Sequence, residues 1–284
     1  MRVRDRYHND RRVSSDAWQA NSLPTGFLRL EGAVKAHVCI IGAGFAGIAC
    51  AYQLIKAGVD AVVVEQNQVG WGASGRISNQ TKCILKSAYE NTKIAELSKI
   101  SEQVRLLTET ILDELNIQWT VEEGQLSIER PLDFLLGQAN AVAEKGGKIF
   151  EDARVKVIEK QNGDYWVKTD TGNVIAKEVI VCAGAYLGPL DTQLRKRYRP
   201  RLIKNSQVDE TAGFIAVNKL GLPDVGKTET GVYYIQGLGE YGIMDAQISA
   251  KAISEAIIGN HKLFNEISSP SHTPYIRRNF TTGL

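Results

Sequence analysis

Gly42, Gly44 and Gly47 fall in the pattern G-x-G-x-x-G, and Glu65 follows about 20 residues later. This spacing suits a dinucleotide. Gly42 permits a turn that a side chain forbids, Gly44 lets a pyrophosphate approach the backbone, and Gly47 lets helix and strand pack closely. Phe45 and Ala46 open the following helix, whose first N–H groups are unpaired and sit at the positive end of its dipole. An acid at position 65 accepts both hydroxyls of an adenosine ribose and disfavours a 2′-phosphate, which points to FAD or NAD rather than NADP.

Two further stretches carry the same kind of chemistry. Gly70-Trp71-Gly72-Ala73-Ser74-Gly75-Arg76 is small enough to lie against a cofactor, with Ser74 and Arg76 able to bind phosphate oxygens; taken alone, a flexible surface loop explains it equally well. Gly237-Leu238-Gly239-Glu240-Tyr241-Gly242 precedes an apolar run from Ile243, so a second helix N-terminus can face a ligand. Tyr241 is the single candidate for a substrate-facing side chain, with packing on a cofactor edge as its plainer role. The four histidines, His8, His37, His261 and His272, are too scattered for a metal site. The four cysteines have no C-x-x-C spacing; Cys39 and Cys182 in apolar strands and Cys50 on a helix are packing residues.

The frame for these residues follows from apolar patterning. His37–Ile41 reads as a strand, the segment to Ala57 as a helix, and Ala61–Val64 as a second strand. Asn91–Leu115 reads as one amphipathic helix with its stripe at Ile94, Leu97, Ile100, Val104, Leu107, Ile111 and Leu115. Gln118–Val121 and Gln125–Glu129 form a hairpin, and a helix runs from Leu132 to Glu144 behind Pro131. Strands follow at Lys148–Phe150, Arg154–Glu159, Trp166–Thr169, Val174–Ala176 and Glu178–Cys182; the last, ending at Ala183-Gly184-Ala185, resembles a buried parallel strand with ligand space at its carboxyl end. The basic run Leu194–Arg201 reads as a solvated face. Phe214–Val217 and Val232–Gln236 are strands, Leu222–Gly226 a strand and turn, and Ile243–Ile258 a long apolar helix; the tail from His261 should wrap the surface.

With 284 residues and 43% hydrophobic content the chain can bury a large core. A net charge of +2 argues for neither nucleic-acid nor membrane-surface binding, and no run is apolar and long enough to span a membrane. A cytoplasmic location is the default expectation.

In order along the chain, Gly42 to Glu65, Gly70 to Arg76, Val179 to Leu187 and Gly213 to Gly242 resemble the FAD-dependent amine and amino-acid oxidoreductases of the D-amino-acid oxidase/glycine oxidase superfamily. Within it the gamma-glutamylputrescine oxidoreductase type is nearest, and the family's Gly-Ala-Ser-Gly-Arg-Asn-Gly-Gly-Gln loop is the most specific match. The resemblance implies FAD as cofactor. It places Gly42, Gly44, Gly47 and Glu65 on the ADP half, Ala73, Ser74, Gly75 and Arg76 along pyrophosphate and ribityl, and Val155 at the adenine edge. Ala183 and Gly184 would line the nucleotide, Gly237 would be a further cofactor contact, and the Gly239 to Ile243 turn, with Gly242, would sit under the flavin's pyrimidine edge. A helix N-terminus there would stabilise negative charge on the reduced ring.

The chain departs from the family at Ile77-Ser78-Asn79, at Glu240-Tyr241-Gly242, and at Asn218 and Leu220. It is also shorter, with segments missing between Leu126 and Pro131 and between Arg201 and Gly213. The expected architecture is α/β: an FAD-binding Rossmann-type parallel sheet with a small, reduced antiparallel substrate region. The expected division is a polar leader (1–36), FAD-binding segments at 37–116, 148–200 and 227–260, substrate-region segments at 117–147 and 201–226, and a surface tail (261–284). The expected activity is oxidation of a small amine or amino acid by hydride transfer to flavin N5, giving an imine. The alternative is a flavin-holding subunit or non-catalytic relative, with a partner chain completing the pocket.

Overall fold

The structure, a computed structural model, describes residues 27–77, 83–92, 95–188, 190–204 and 212–268. In chain order these form β1 (Leu28–Arg29), β2 (Gly32–Ile41), α1 (Phe45–Lys56), β3 (Ala61–Val64), α2 (Ala73–Ile77) and β4 (Cys83–Ile84). Next come α3 (Ala95–Ser98), α4 (Ile100–Glu114), β5 (Trp119–Glu122), β6 (Gln125–Ile128), α5 (Pro131–Glu144) and β7 (Lys148–Glu151). Then follow β8 (Val155–Gln161), β9 (Asp164–Thr169), β10 (Gly172–Val181), α6 (Thr192–Lys196), β11 (Arg199–Lys204) and β12 (Ala212–Val217). β13 (Asp224–Lys227), β14 (Tyr233–Gln236), α7 (Gly242–Ile257) and α8 (Lys262–Ile267) complete the order.

The main sheet has nine strands and runs β1-β7-β3-β2-β10-β14-β13. Its first six members are parallel, and β13 joins β14 antiparallel at the edge. Strand β10 changes partner along its length: Asn173–Ala176 pair with β9 of the β8–β9 hairpin, and Ile180–Val181 pair with β14. Two smaller antiparallel sheets stand apart from it, β4-β6-β5 and β11-β12.

The sheet is apolar on both faces at its centre. Val38 and Ile40 pack with Ile48, Leu54 and the apolar side of α7, while Cys39, Ile41, Val62, Val64 and Val181 pack on the opposite side with Tyr165 and Tyr234. Burial on both faces makes a strand read as a continuous apolar run, which is why the sequence marks β2 only from His37. Residues 32–36, assigned to the leader, are strand; Gly32, Ala33, Lys35 and His37 are exposed and carry no such signal. For the same reason the two short strands expected at Val174–Ala176 and Glu178–Cys182 are one, β10, with Lys177 reaching out to Asp164.

Three other expectations change. The single helix expected from Asn91 to Leu115 is divided: a 3-10 turn at Ala88–Asn91 is started by a capping box between Ser87 and Glu90, Thr92 is extended, and the long helix begins at Ile100. Leu194–Arg201 is not a plain solvated face, since it ends α6 and opens β11, and Arg197 pairs with the buried Asp224 at 2.9 Å. Part of the tail is helical: Leu263 and Ile267 of α8 are buried under the sheet edge. The leader before residue 27, the substitutions at Ser78 and Asn79, and the tail beyond residue 268 lie outside the described residues.

Candidate functional site

Strands β2, β3, β10 and β14 end at the same side of the sheet, where chain leaving each of them walls one cavity of about 470 Å³. That volume lies in the range of small-molecule and cofactor sites, about 300–1,000 Å³. Gly42, Gly44, Phe45 and Ala46 line it, and so do Gly237, Gly239, Gly242 and Ile243. The two glycine turns, nearly two hundred residues apart in sequence, therefore face one space.

The first turn is fixed by its lack of side chains. Gly42 has φ +104, and a Cβ there would lie 2.5 Å from the carbonyl oxygen of Cys182. A Cβ on Gly47 would lie 1.8 Å from the Gly42 oxygen, so the turn, helix and sheet interlock at backbone distance. Helix α1 has no side-chain cap at Gly44 and no acid in its first turn; Phe45 donates its N–H to Ser74 Oγ at 3.2 Å. At the positive helix end the first helical N–H thus meets a neutral hydroxyl. A Cβ on Gly44 would come within 2.9 Å of that same oxygen, so glycine at 44 leaves the backbone open to close approach beside Ser74.

Glu65 lines the cavity and accepts N–H groups from Ala43 at 2.8 Å and Asn67 at 2.9 Å. Burial pushes its pKa up, and these two donors draw it back. Behind it Glu151 accepts the Val69 N–H at 2.8 Å, tying the start of the 70–76 loop to β7.

Ala73 and Ser74 line the cavity with Val155, Ala183, Gly184 and Tyr241. Three residues assigned to the cofactor stand back from the wall. Gly47 packs α1 on the sheet, Gly75 donates its N–H to the Gly70 carbonyl, and Arg76 is buried behind the loop. Arg76 lies 4.2 Å from the ring centroid of Trp71 and donates to the Gly72 carbonyl at 3.1 Å, so it braces the loop.

The wall also holds residues that spacing did not select. Trp71 and Tyr186 make an edge-on pair at 5.7 Å, and both line the cavity. Leu85 beside β4 and Ile215 of β12 bring the two small sheets to it. Gln236, the last residue of β14, is buried there. Its only sequence signal is a polar residue closing an apolar strand at the carboxyl end, where ligands of parallel sheets bind. Among the described residues no group of His, Cys, Asp and Glu could hold a metal ion, and no helix is long and apolar enough to cross a membrane.

The residues present fit FAD: a glycine cradle that a Cβ would close, an acid at the end of β3, two helix N-termini on one cavity, and an unpartnered buried amide at Gln236. Gamma-glutamylputrescine oxidoreductase of Escherichia coli (strain K12) is 20% identical over a 386-position alignment covering 88% of this chain and 90% of the relative, which therefore carries long insertions. A probable oxidoreductase, OrdL, of Haemophilus influenzae is 27% identical over 216 residues, covering 55% of this chain and 50% of the relative. The fold is shared with L-proline dehydrogenase from P. horikoshii (TM-score 0.69, 14% identity, 87% of this chain and 99% of that one). It is shared also with glycine oxidase from Geobacillus kaustophilus (TM-score 0.64, 14% identity, 79% and 95%). The model of the FAD dependent oxidoreductase family matches residues 37–128 and 119–208, more than half the chain. The chain accordingly belongs to the family of FAD-dependent oxidoreductases, and FAD is its cofactor.

Proposed function

We propose that this chain is a cytoplasmic oxidoreductase that oxidises a small amine or amino acid. The observation carrying the proposal is the single cavity walled by both glycine turns and by residues of both small antiparallel sheets. The substrates named for three similar proteins, gamma-glutamylputrescine, glycine and L-proline, are amines bearing hydrogen on the carbon beside nitrogen. Four free cysteines suit a reducing compartment.

Bound FAD supplies a two-electron acceptor at N5, to which hydride from the carbon beside a neutral amine nitrogen would pass, leaving an imine. The chain's own part is to bind, orient and exclude water. The α1 turn with Glu65, Ala73 and Ser74 would hold the ADP half, Val155 the adenine edge, and Ala183 and Gly184 the nucleotide between. The α7 N-terminus at Gly242 and Ile243 offers uncapped N–H groups where negative charge develops. Leu85 and Ile215 supply apolar wall against water. Tyr241, half-buried at the start of α7 and on the cavity wall, would be the side chain that meets substrate. No protein acid or base is required, since the nitrogen lone pair assists departure of the hydride.

A second reading has its own support. Ile84 on β4, Val121 on β5 and Leu202 on β11 are large apolar residues left 50%, 44% and 45% exposed on the two small sheets. They suit a flavin-holding chain whose pocket a partner completes. Anaerobic addition of candidate amines to the yellow protein separates the two. Bleaching of the flavin absorbance supports the enzyme, whereas a bound flavin that no amine reduces supports the second reading.

A further inference from the structure

We infer that the side-chain amide of Gln236 pairs with the imide edge of the flavin ring. Gln236 is 1% exposed, and neither Nε2 nor Oε1 has a hydrogen-bond partner among the described residues. The other deeply buried glutamines are treated differently: Gln138 and Gln247 donate to each other at 2.9 and 3.3 Å. Asp224 and Asp245, buried acids elsewhere in the chain, are also met by donors. A buried amide with no partner bears the full cost of its desolvation. Retaining that cost on a cavity wall makes sense when a ligand supplies the missing bonds.

The chemistry of that ligand edge follows from the side chain. A carboxamide presents one acceptor beside one pair of donors. Its complement is an edge on which a donor adjoins an acceptor. FAD offers such an edge on the flavin imide, with N3–H between two carbonyls, and on the adenine, whose 6-amino group adjoins both N1 and N7. Position decides between them. Gln236 immediately precedes Gly237, and its backbone is paired to Asp224 at the far edge of the sheet from β3. The adenosine acid Glu65 ends β3, and Val155 opens the β8 hairpin; Gln236 adjoins the Gly237–Ile243 turn at the other end of the same cavity.

The inference rests on the cofactor and not on the amine, so it stands or falls whether or not any amine is oxidised. The test is binding to the apoprotein, read by flavin fluorescence and calorimetry. Unaltered protein should bind N3-methyl-FAD at least about tenfold more weakly than FAD, the equivalent of one lost hydrogen bond. Gln236→Leu should bind FAD about tenfold more weakly, show no further penalty for the N3-methyl group, and bind ADP as well as the unaltered protein does. Its apoprotein should melt no lower, because an unpartnered amide has been removed. Unchanged FAD affinity in Gln236→Leu, an equal N3-methyl penalty in both proteins, or a matching loss of ADP affinity would each overturn the assignment. The N3-methyl comparison on unaltered protein decides the matter should the variant fail to fold.

Discussion

Glu65 Oε2 accepts the backbone N–H of Ala43 at 2.8 Å, so the acid that ends β3 holds shut the glycine turn that ends β2. Asn67 donates to Oε1 and the Gln66 N–H also lies against the carboxylate, and its remaining acceptor capacity would serve ribose hydroxyls. Glu65→Gln keeps the shape but turns one acceptor into a donor facing an N–H. FAD affinity should fall about 10- to 100-fold, and the apoprotein should lose about 1–3 kcal/mol. Fluorescence titration and melting check both; lowered stability with unchanged affinity would show that Glu65 serves the turn alone.

Gly44 and Gly47 should respond differently to the same added methyl group. At Gly47 the new carbon meets the backbone oxygen of Gly42 at 1.8 Å, and backbone cannot step aside. Gly47→Ala should yield no soluble folded protein. At Gly44 the contact is a serine hydroxyl at 2.9 Å, which can rotate away. Gly44→Ala should cost the apoprotein about 1 kcal/mol or less while weakening FAD binding by more than about 100-fold, through lost approach to the backbone. Melting of apoprotein beside FAD titration tells the two outcomes apart.

Asp224 joins the basic segment to the sheet edge. It accepts from Tyr198 Oη at 2.6 Å, Tyr234 Oη at 3.2 Å and Arg197 Nη2 at 2.9 Å. Arg197 is 44% exposed at its side chain and can be rehydrated, whereas Asp224 cannot. Asp224→Ala should therefore cost about 2–4 kcal/mol, leaving the buried Tyr234 and half-buried Tyr198 hydroxyls without this acceptor, and Arg197→Ala about 1 kcal/mol. Urea denaturation of the two variants checks the order; equal losses would place the energy in the ion pair and not in the hydroxyls.

Much of the cofactor half was legible because its chemistry is local. Gly42, Gly44, Gly47 and Glu65 lie within one strand-helix-strand unit, and the backbone geometry that needs them leaves a fixed spacing. Gln236, Trp71 and Tyr186 were missed because what sets them apart is what surrounds them, and no periodicity records an unpartnered amide or an edge-on ring pair. Arg76 shows the converse. A guanidinium in a glycine loop reads as a phosphate ligand, and nothing in its spacing records that it also lies 4.2 Å from the Trp71 ring centroid. Strand β11 escaped notice because Arg199 and Arg201 are exposed and the strand rests on backbone pairing with β12, not on an apolar face.

Asp245, in the first turn of α7, clips that helix to the chain leaving β4. It accepts from Ser87 Oγ at 2.5 Å and from the Ala88 N–H at 3.0 Å. Complete burial raises its pKa from the ordinary 3.8 to about 7, against the pull of these two donors and with Glu90 adding to the rise. A carboxyl group raised in the folded state binds more protons folded than unfolded between those values. Its contribution to stability is therefore fully present below about pH 4, falls as pH rises, and is gone above about pH 7. The three-unit separation sets the size at a few kcal/mol. Asp245→Asn should flatten this slope, and unaltered protein should grow less stable from pH 4.5 to pH 7.5 by a margin that the variant lacks. Ser87 and Ala88 continue directly into Lys86 and Leu85 of the cavity wall. Protection from hydrogen exchange at residues 85–88, corrected for the intrinsic rise of exchange with pH, should accordingly fall over the same pH window in unaltered protein and stay level in the variant. A stability slope shared by both proteins would assign the titration to another group.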